Sequence, residues 1–184
     1  LGRSFLYSYS LTDFYNSNIN LLKKDIYAWI GYNLKTKEEV KKRMRKMLSS
    51  MKIKKNDNIL FHSNMAGIYQ FFEKSQLKEV DKHFLDFLIE YIGKKGTIIF
   101  PAYNFAFARG KIYNKLTAPS ETGNFANFLL KRFPKNRSAE PIFSHFVFGK
   151  LKERIFKCET NEAFGNESIF NFIYKKNFKI ICFC

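Results

Sequence analysis

Apolar residues recur along this chain with two periods in alternation. From residue 36 to 51, Val40, Met44, Met47, Leu48 and Met51 fall at helical spacing, and Thr36 followed by Glu39 forms a capping box at the start. The short apolar run Asn58–Phe61 then predicts a buried strand. A helix is expected from about Leu77 to Ile92, with Val80, Phe84, Leu85, Phe87, Leu88 and Ile92 as its buried stripe and Gly93 as its stop. A strand Thr97–Phe100 ends at Pro101, and a long polar connection leads to Ser120. Beyond it the pattern predicts a helix from Asn124 to Arg132 closing at Pro134, a strand Ser144–Phe148, a turn and short helix over Gly149–Lys157, and a last strand Lys179–Phe183. Strands alternating with helices predict an α/β fold, a layered sheet with helices on both faces.

This pattern begins at residue 35, so residues 35–184 are expected to form one α/β domain. Residues 1–34, rich in Tyr, Asn and Ser, read as a poorly specified N-terminal extension. With 184 residues, 46% of them hydrophobic and 22 of them phenylalanine, the chain has the apolar content of a folded domain and not of a disordered basic tail.

Charge adds a second consideration, because the formal net charge is +16. Nine basic residues between Lys37 and Lys55 face only Glu38 and Glu39, so the first helix carries a basic face. That face suits solvent, or attraction to a polyanionic cofactor, a nucleotide sugar or a membrane surface. No zinc-finger, helix-turn-helix or aromatic RNA-binding spacing accompanies it, so no specific nucleic-acid partner is expected. No run reaches the ~20 apolar residues of a membrane span. Cys158, Cys182 and Cys184 are an odd number without metal spacing, which fits reduced thiols in the cytoplasm and no bound metal.

Two polar loops stand out as candidate chemistry. In Asn136–Gly149, NRSAEPIFSHFVFG, Arg137 offers a planar fork of donors and Ser138 a hydroxyl, a combination that binds phosphate or serves as an ordinary surface turn. In Asn58–Gly67, NILFHSNMAG, a strand breaks into a polar turn at its carboxyl end, where open α/β sheets hold ligands, and Gly67 would permit close backbone approach.

These runs resemble the aminoglycoside 3-N-acetyltransferase family in order and spacing. The matching positions are His62-Ser63, Gly96-Thr97 with Pro101, Pro119-Ser120 with Gly123, Arg137-Ser138 with Pro141 and Ser144, and Gly165–Phe170 (GNESIF). The resemblance runs from about Ile53 to the last residue. Asn64, Ala102 and Glu140 depart from the family's usual serine, threonine and histidine, and the last change suggests a different acceptor.

The resemblance implies direct acetyl transfer from acetyl-CoA to the amine of an aminoglycoside or amino sugar in a ternary complex. It assigns His62, Ser63, Asn64, Met65 and Gly67 to the pantetheine and thioester end, and Arg137, Ser138 and Ser144 to the cofactor's phosphates or channel. Ser120, Glu121 and Gly123 would line the acceptor side, although Ser120 also reads as a helix cap and Glu121 as plain surface. The family's general base is a histidine in a Thr-x-x-His turn after the last strand. None of the three histidines here matches it: His83 reads as a helix residue, and His145 is the only local substitute. The domain is therefore expected to be C-terminally truncated, with its base beyond Cys184 and turnover confined to a longer chain. The alternatives are a catalytically inactive remnant and a basic module that binds nucleic acid or an anionic surface.

Overall fold

The computed structural model describes residues 37–70, 72, 79–158 and 162–183. Residues 1–34, the capping box at Thr36 and Cys184 lie outside the described residues. Helix α1 (Lys37–Ser50) buries Val40, Met44 and Leu48. Strand β1 (Asn58–Ser63) leads into the short α2 (Met65–Tyr69), and α3 (Val80–Ile92) returns the chain to β2 (Thr97–Pro101). After the long connection come α4 (Asn124–Arg132), β3 (His145–Gly149), α5 (Lys152–Ile155), α6 (Ile169–Lys175) and β4 (Lys179–Phe183).

The strands form a four-stranded mixed sheet in the order β3-β2-β1-β4. β1 is parallel to both β2 and β4, whereas β2 and β3 are antiparallel. Helices cover both faces. Because side chains alternate along a strand, Leu60, Ile99 and Val147 share one face and pack against Ile155 of α5 and Ile169 and Ile173 of α6. The opposite face presents Phe61, Phe100 and Phe148: Phe61 meets Phe84 of α3 edge-to-face, Phe100 meets Phe125 of α4 and Phe148 in the same way, and Phe84 and Phe125 touch each other. Each such buried ring is worth about 1.5–3 kcal/mol of transfer free energy. The predicted stripe of α3 is buried at all six positions.

Two glycines fix how β2 and β3 meet. Gly149 has φ +117°, and a Cβ there would stand 2.2 Å from the Gly96 carbonyl oxygen. A Cβ on Gly96 would stand 2.6 Å from the Asp57 carbonyl oxygen. At Gly149 the two strands approach closely enough that only hydrogen fits, and at Gly96 the crowding comes from Ile92 and the turn before β1.

Candidate active site

The carboxyl ends of β1 and β2 lie side by side. His62 is half-buried, in register with Cys182 of β4, and burial lowers its pKa, so its imidazole is neutral at pH 7. Ser63 ends the strand opposite Phe183. Asn64 caps α2: its Oδ1 accepts the Ala66 amide at 3.0 Å and its carbonyl accepts the Gly67 amide at 3.2 Å. Met65 is buried, and Gly67 is a helical residue inside α2, not the loop glycine that the sequence suggested.

At the end of β2, three separated segments are tied together by Arg137, which is fully buried. Its Nε donates to Ser144 Oγ at 2.9 Å, Nη2 donates to the Ala102 carbonyl at 2.6 Å, and Nη1 donates to the Ala118 carbonyl. The rings of Tyr113 and Phe146 lie 5.3 and 5.8 Å from the guanidinium carbon. Burial disfavours the charge, and carbonyl dipoles and ring faces offset that cost; among the described residues Arg137 has no carboxylate partner. The expected contact between Arg137 and a phosphate therefore gives way to an inward one, since all three nitrogens are already committed to the protein. Ser144 is likewise internal, with its Oγ donating to Ala102 at 2.7 Å.

Ser138 clasps the next strand. Its amide donates to the His145 carbonyl at 2.9 Å, and its Oγ accepts the His145 amide at 2.9 Å. His145 is fully buried, edge-on to Tyr103 and Phe170 at 5.4 and 5.5 Å, and neither ring nitrogen has a hydrogen-bond partner. Burial, reinforced by any charge on His62, pushes its pKa down to about 3. A group so dry and so weakly basic does not take protons from a substrate at neutral pH, which removes His145 as a substitute base. Glu140 is also buried, its carboxylate accepting the amides of Ile142 and Phe143, so it shapes its own loop. Its charge and, more strongly, burial push the Tyr103 hydroxyl up to about 12.

On the expected acceptor side, Ser120 Oγ lies 2.7 Å from Thr122 Oγ1 and accepts the Thr122 amide, so it forms a turn and not a cap for α4. Glu121 is exposed and accepts from the Ala106 amide and Arg109 Nη2, both at 3.0 Å. Gly123 precedes α4 with φ +110° and open space around its α-carbon.

Strand alternation divides these residues. His62 and His145 point to the face covered by α5 and α6, whereas Ser144 and Phe146, and with them Arg137, belong to the opposite face. The expected pocket shared by His62 and Arg137 is thus two neighbouring clusters, joined through the Ser138–His145 clasp.

Residues 60–183 match the model of the aminoglycoside 3-N-acetyltransferase family, and the chain belongs to that family. No match is found among the curated proteins. The fold is similar to that of the YokD protein from Bacillus subtilis, at 20% identity and a TM-score of 0.59, over 73% of this chain and 60% of that one. It is also similar to sisomicin-bound AAC-VIa, at 18% identity and 0.60, over 76% and 57%. AAC-IIIb in a binary complex with CoASH matches at 14% and 0.60, over 76% and 57%. At these identities the likeness is one of fold, and the chain spans less than two thirds of each of these structures.

Proposed function

We propose that this chain is part of an N-acetyltransferase that moves the acetyl group of acetyl-CoA to the amine of an aminoglycoside or amino sugar. The observation that carries the reading is the family match over residues 60–183, which takes in most of β1, its polar turn and the three segments gathered by Arg137. Acetyl-CoA is the cosubstrate expected for this family and supplies an activated thioester. The residues at the β1 turn suit its thioester end: His62 is neutral and half-buried, beside Ser63, Asn64 and Met65. The Arg137 cluster does not suit its phosphates, because the fork is spent internally.

In this reading the chain's own residues do two things. The β1 turn orients the acyl donor at the crevice beyond the parallel strands, and the Arg137 knot holds the segments bearing Ser120, Glu121 and Gly123 beside it. Glu121 keeps a carboxylate at the surface where an ammonium could approach. The proton acceptor is assigned to the family's Thr-x-x-His turn, which follows the last strand, because His145 is too weakly basic to serve. A cytoplasmic setting suits the free thiols of Cys158 and Cys182.

The test is thiol release from acetyl-CoA with a panel of amino sugars, using this chain and one extended past Cys184, alongside calorimetric binding of CoA. Binding by both chains with turnover only by the longer is expected. Absence of CoA binding by the extended, folded chain would overturn the reading.

A further inference from the structure

The end of the sheet opposite the candidate site is built from four turns that lie against one another. The Asn56 amide donates to the Ile92 carbonyl, the Thr97 amide to Asp57, and the Lys150 amide to Gly96. Lys179 Nζ donates to the Lys52 carbonyl at 2.8 Å and to Asp57 Oδ2 at 2.6 Å. These contacts bring together residues 52–57, 93–96, 149–150 and 175–179. Between them they carry nine lysines, Lys52, Lys54, Lys55, Lys94, Lys95, Lys150, Lys175, Lys176 and Lys179, against one acid, Asp57.

Asp57 is occupied by Lys179, and the other eight lysines are exposed. Among the described residues none of those eight makes an ion pair. Of the acids on neighbouring helices, Glu90 is held by Lys41 and Arg45 and Glu153 sits on α5. Beside the lysines, Tyr174 is 81% exposed and Ile180 64% exposed.

We propose that this end of the domain docks on an anionic phospholipid bilayer. Like charges packed onto one end repel each other and persist at low cost only in solvent or against a negative surface. The set contains no arginine, and lysine acts as a hydrated point charge, suited to a diffuse plane of headgroups. Base-specific reading of nucleic acid leans on the bidentate fork of arginine, which this set lacks. Tyr174 and Ile180 supply an amphipathic ring and an apolar side chain at the same edge, the pairing that partitions into a membrane interface. Docking in this orientation turns the carboxyl ends of β1 and β2 away from the bilayer and leaves them open to substrate.

The experiment is cosedimentation of the whole chain with phosphatidylcholine vesicles, with and without phosphatidylglycerol, at low and high salt. The chain with Lys54, Lys55, Lys94 and Lys95 changed to Gln is compared with one in which Lys42, Lys46, Lys111 and Lys157 are changed to Gln. Binding only to phosphatidylglycerol vesicles, weakened by salt, is expected, with at least a tenfold or so loss in the first variant and a much smaller loss in the second. Tyr174→Ala should weaken it further without changing the salt dependence. Equal losses in the two quadruple variants, equal binding to neutral vesicles, or tighter binding to duplex DNA through the same lysines would each overturn the proposal.

Discussion

Arg137 and Ser144 share a single acceptor, the Ala102 carbonyl, which Arg137 Nη2 reaches at 2.6 Å and Ser144 Oγ at 2.7 Å. A bond from Arg137 Nε to Ser144 Oγ at 2.9 Å closes the ring. The closed ring locks the end of β2 to the segment entering β3, so the sheet edge bearing the candidate site is stiffened by a buried cation.

It follows that Arg137→Ala acts on stability before it acts on ligand binding. Truncation leaves the Ala118 carbonyl without its donor, leaves the Ala102 carbonyl to Ser144 alone and opens a cavity, at a cost of about 3–5 kcal/mol. Ser144→Ala should cost about 1–3 kcal/mol, and the pair should be strongly non-additive because the two side chains serve one acceptor. Urea denaturation of both single variants and the double reads this directly. An Arg137→Ala chain with an unchanged midpoint but weakened CoA binding would return the residue to the cofactor site.

A second expectation concerns acid. His145 is held neutral with a pKa near 3, whereas in the unfolded chain it titrates near 6.5. The unfolded state therefore binds the extra proton between these values. The stability contributed by neutral burial is complete above pH 6.5 and is lost as the pH falls, by about 1.4 kcal/mol per unit. His62, also lowered by burial, acts in the same direction. His145→Phe fills the same aromatic sleeve without two orphaned nitrogens. It should raise stability at neutral pH by about 1–2 kcal/mol and flatten the slope between pH 6 and about 4. Melting temperatures across that range, wild type against variant, test both effects, and parallel curves would refute the assignment.

Much of the architecture was legible because burial periodicity is a local signal. The α3 stripe, the helix Asn124–Arg132 and the strand Lys179–Phe183 are found where the pattern puts them, and the remaining predicted strands and helices differ at their ends by a few residues. Helix α6 was not read, although Ser168 caps it through the Asn171 amide and the buried Ile169 and Ile173 stand four apart; with Phe170, Phe172 and Tyr174 also apolar or aromatic, the seven-residue run shows no clear period. The site was less legible. An arginine fork suits phosphate and carbonyls alike, and nothing local shows that the carbonyls of Ala102 and Ala118 lie within its reach. Glu140 was read as a sign of altered acceptor specificity, yet its carboxylate is taken by the amides two and three residues on, a turn whose burial only the fold reveals.

Glu121 separates a surface role from an acceptor role. Its ion pair with Arg109 is exposed, so Glu121→Gln should change stability by no more than about 1 kcal/mol. If the carboxylate meets an ammonium on the acceptor, the same change in a turnover-competent, extended chain should raise KM for the amino sugar while leaving KM for acetyl-CoA unaltered. Steady-state kinetics with each substrate varied in turn distinguishes the two, and an unchanged KM for every amino sugar would leave Glu121 a surface residue.

The last prediction tests the packing on which the site rests. Gly149→Ala forces a side chain onto a residue at φ +117° and drives its Cβ to 2.2 Å from the Gly96 carbonyl oxygen, in backbone that cannot swing aside. β2 and β3 would have to part where Thr97 pairs with Gly149, and the Lys150 amide would lose its bond to Gly96. A destabilisation of about 3 kcal/mol or more is expected. Gly110→Ala is the control: it shares a positive φ of +78° but has open space around it, so only the conformational term of about 1 kcal/mol should appear. Equal losses in the two variants would mean that the close approach of Gly96 and Gly149 contributes nothing beyond backbone conformation, and that β3 is held to β2 by its side chains alone.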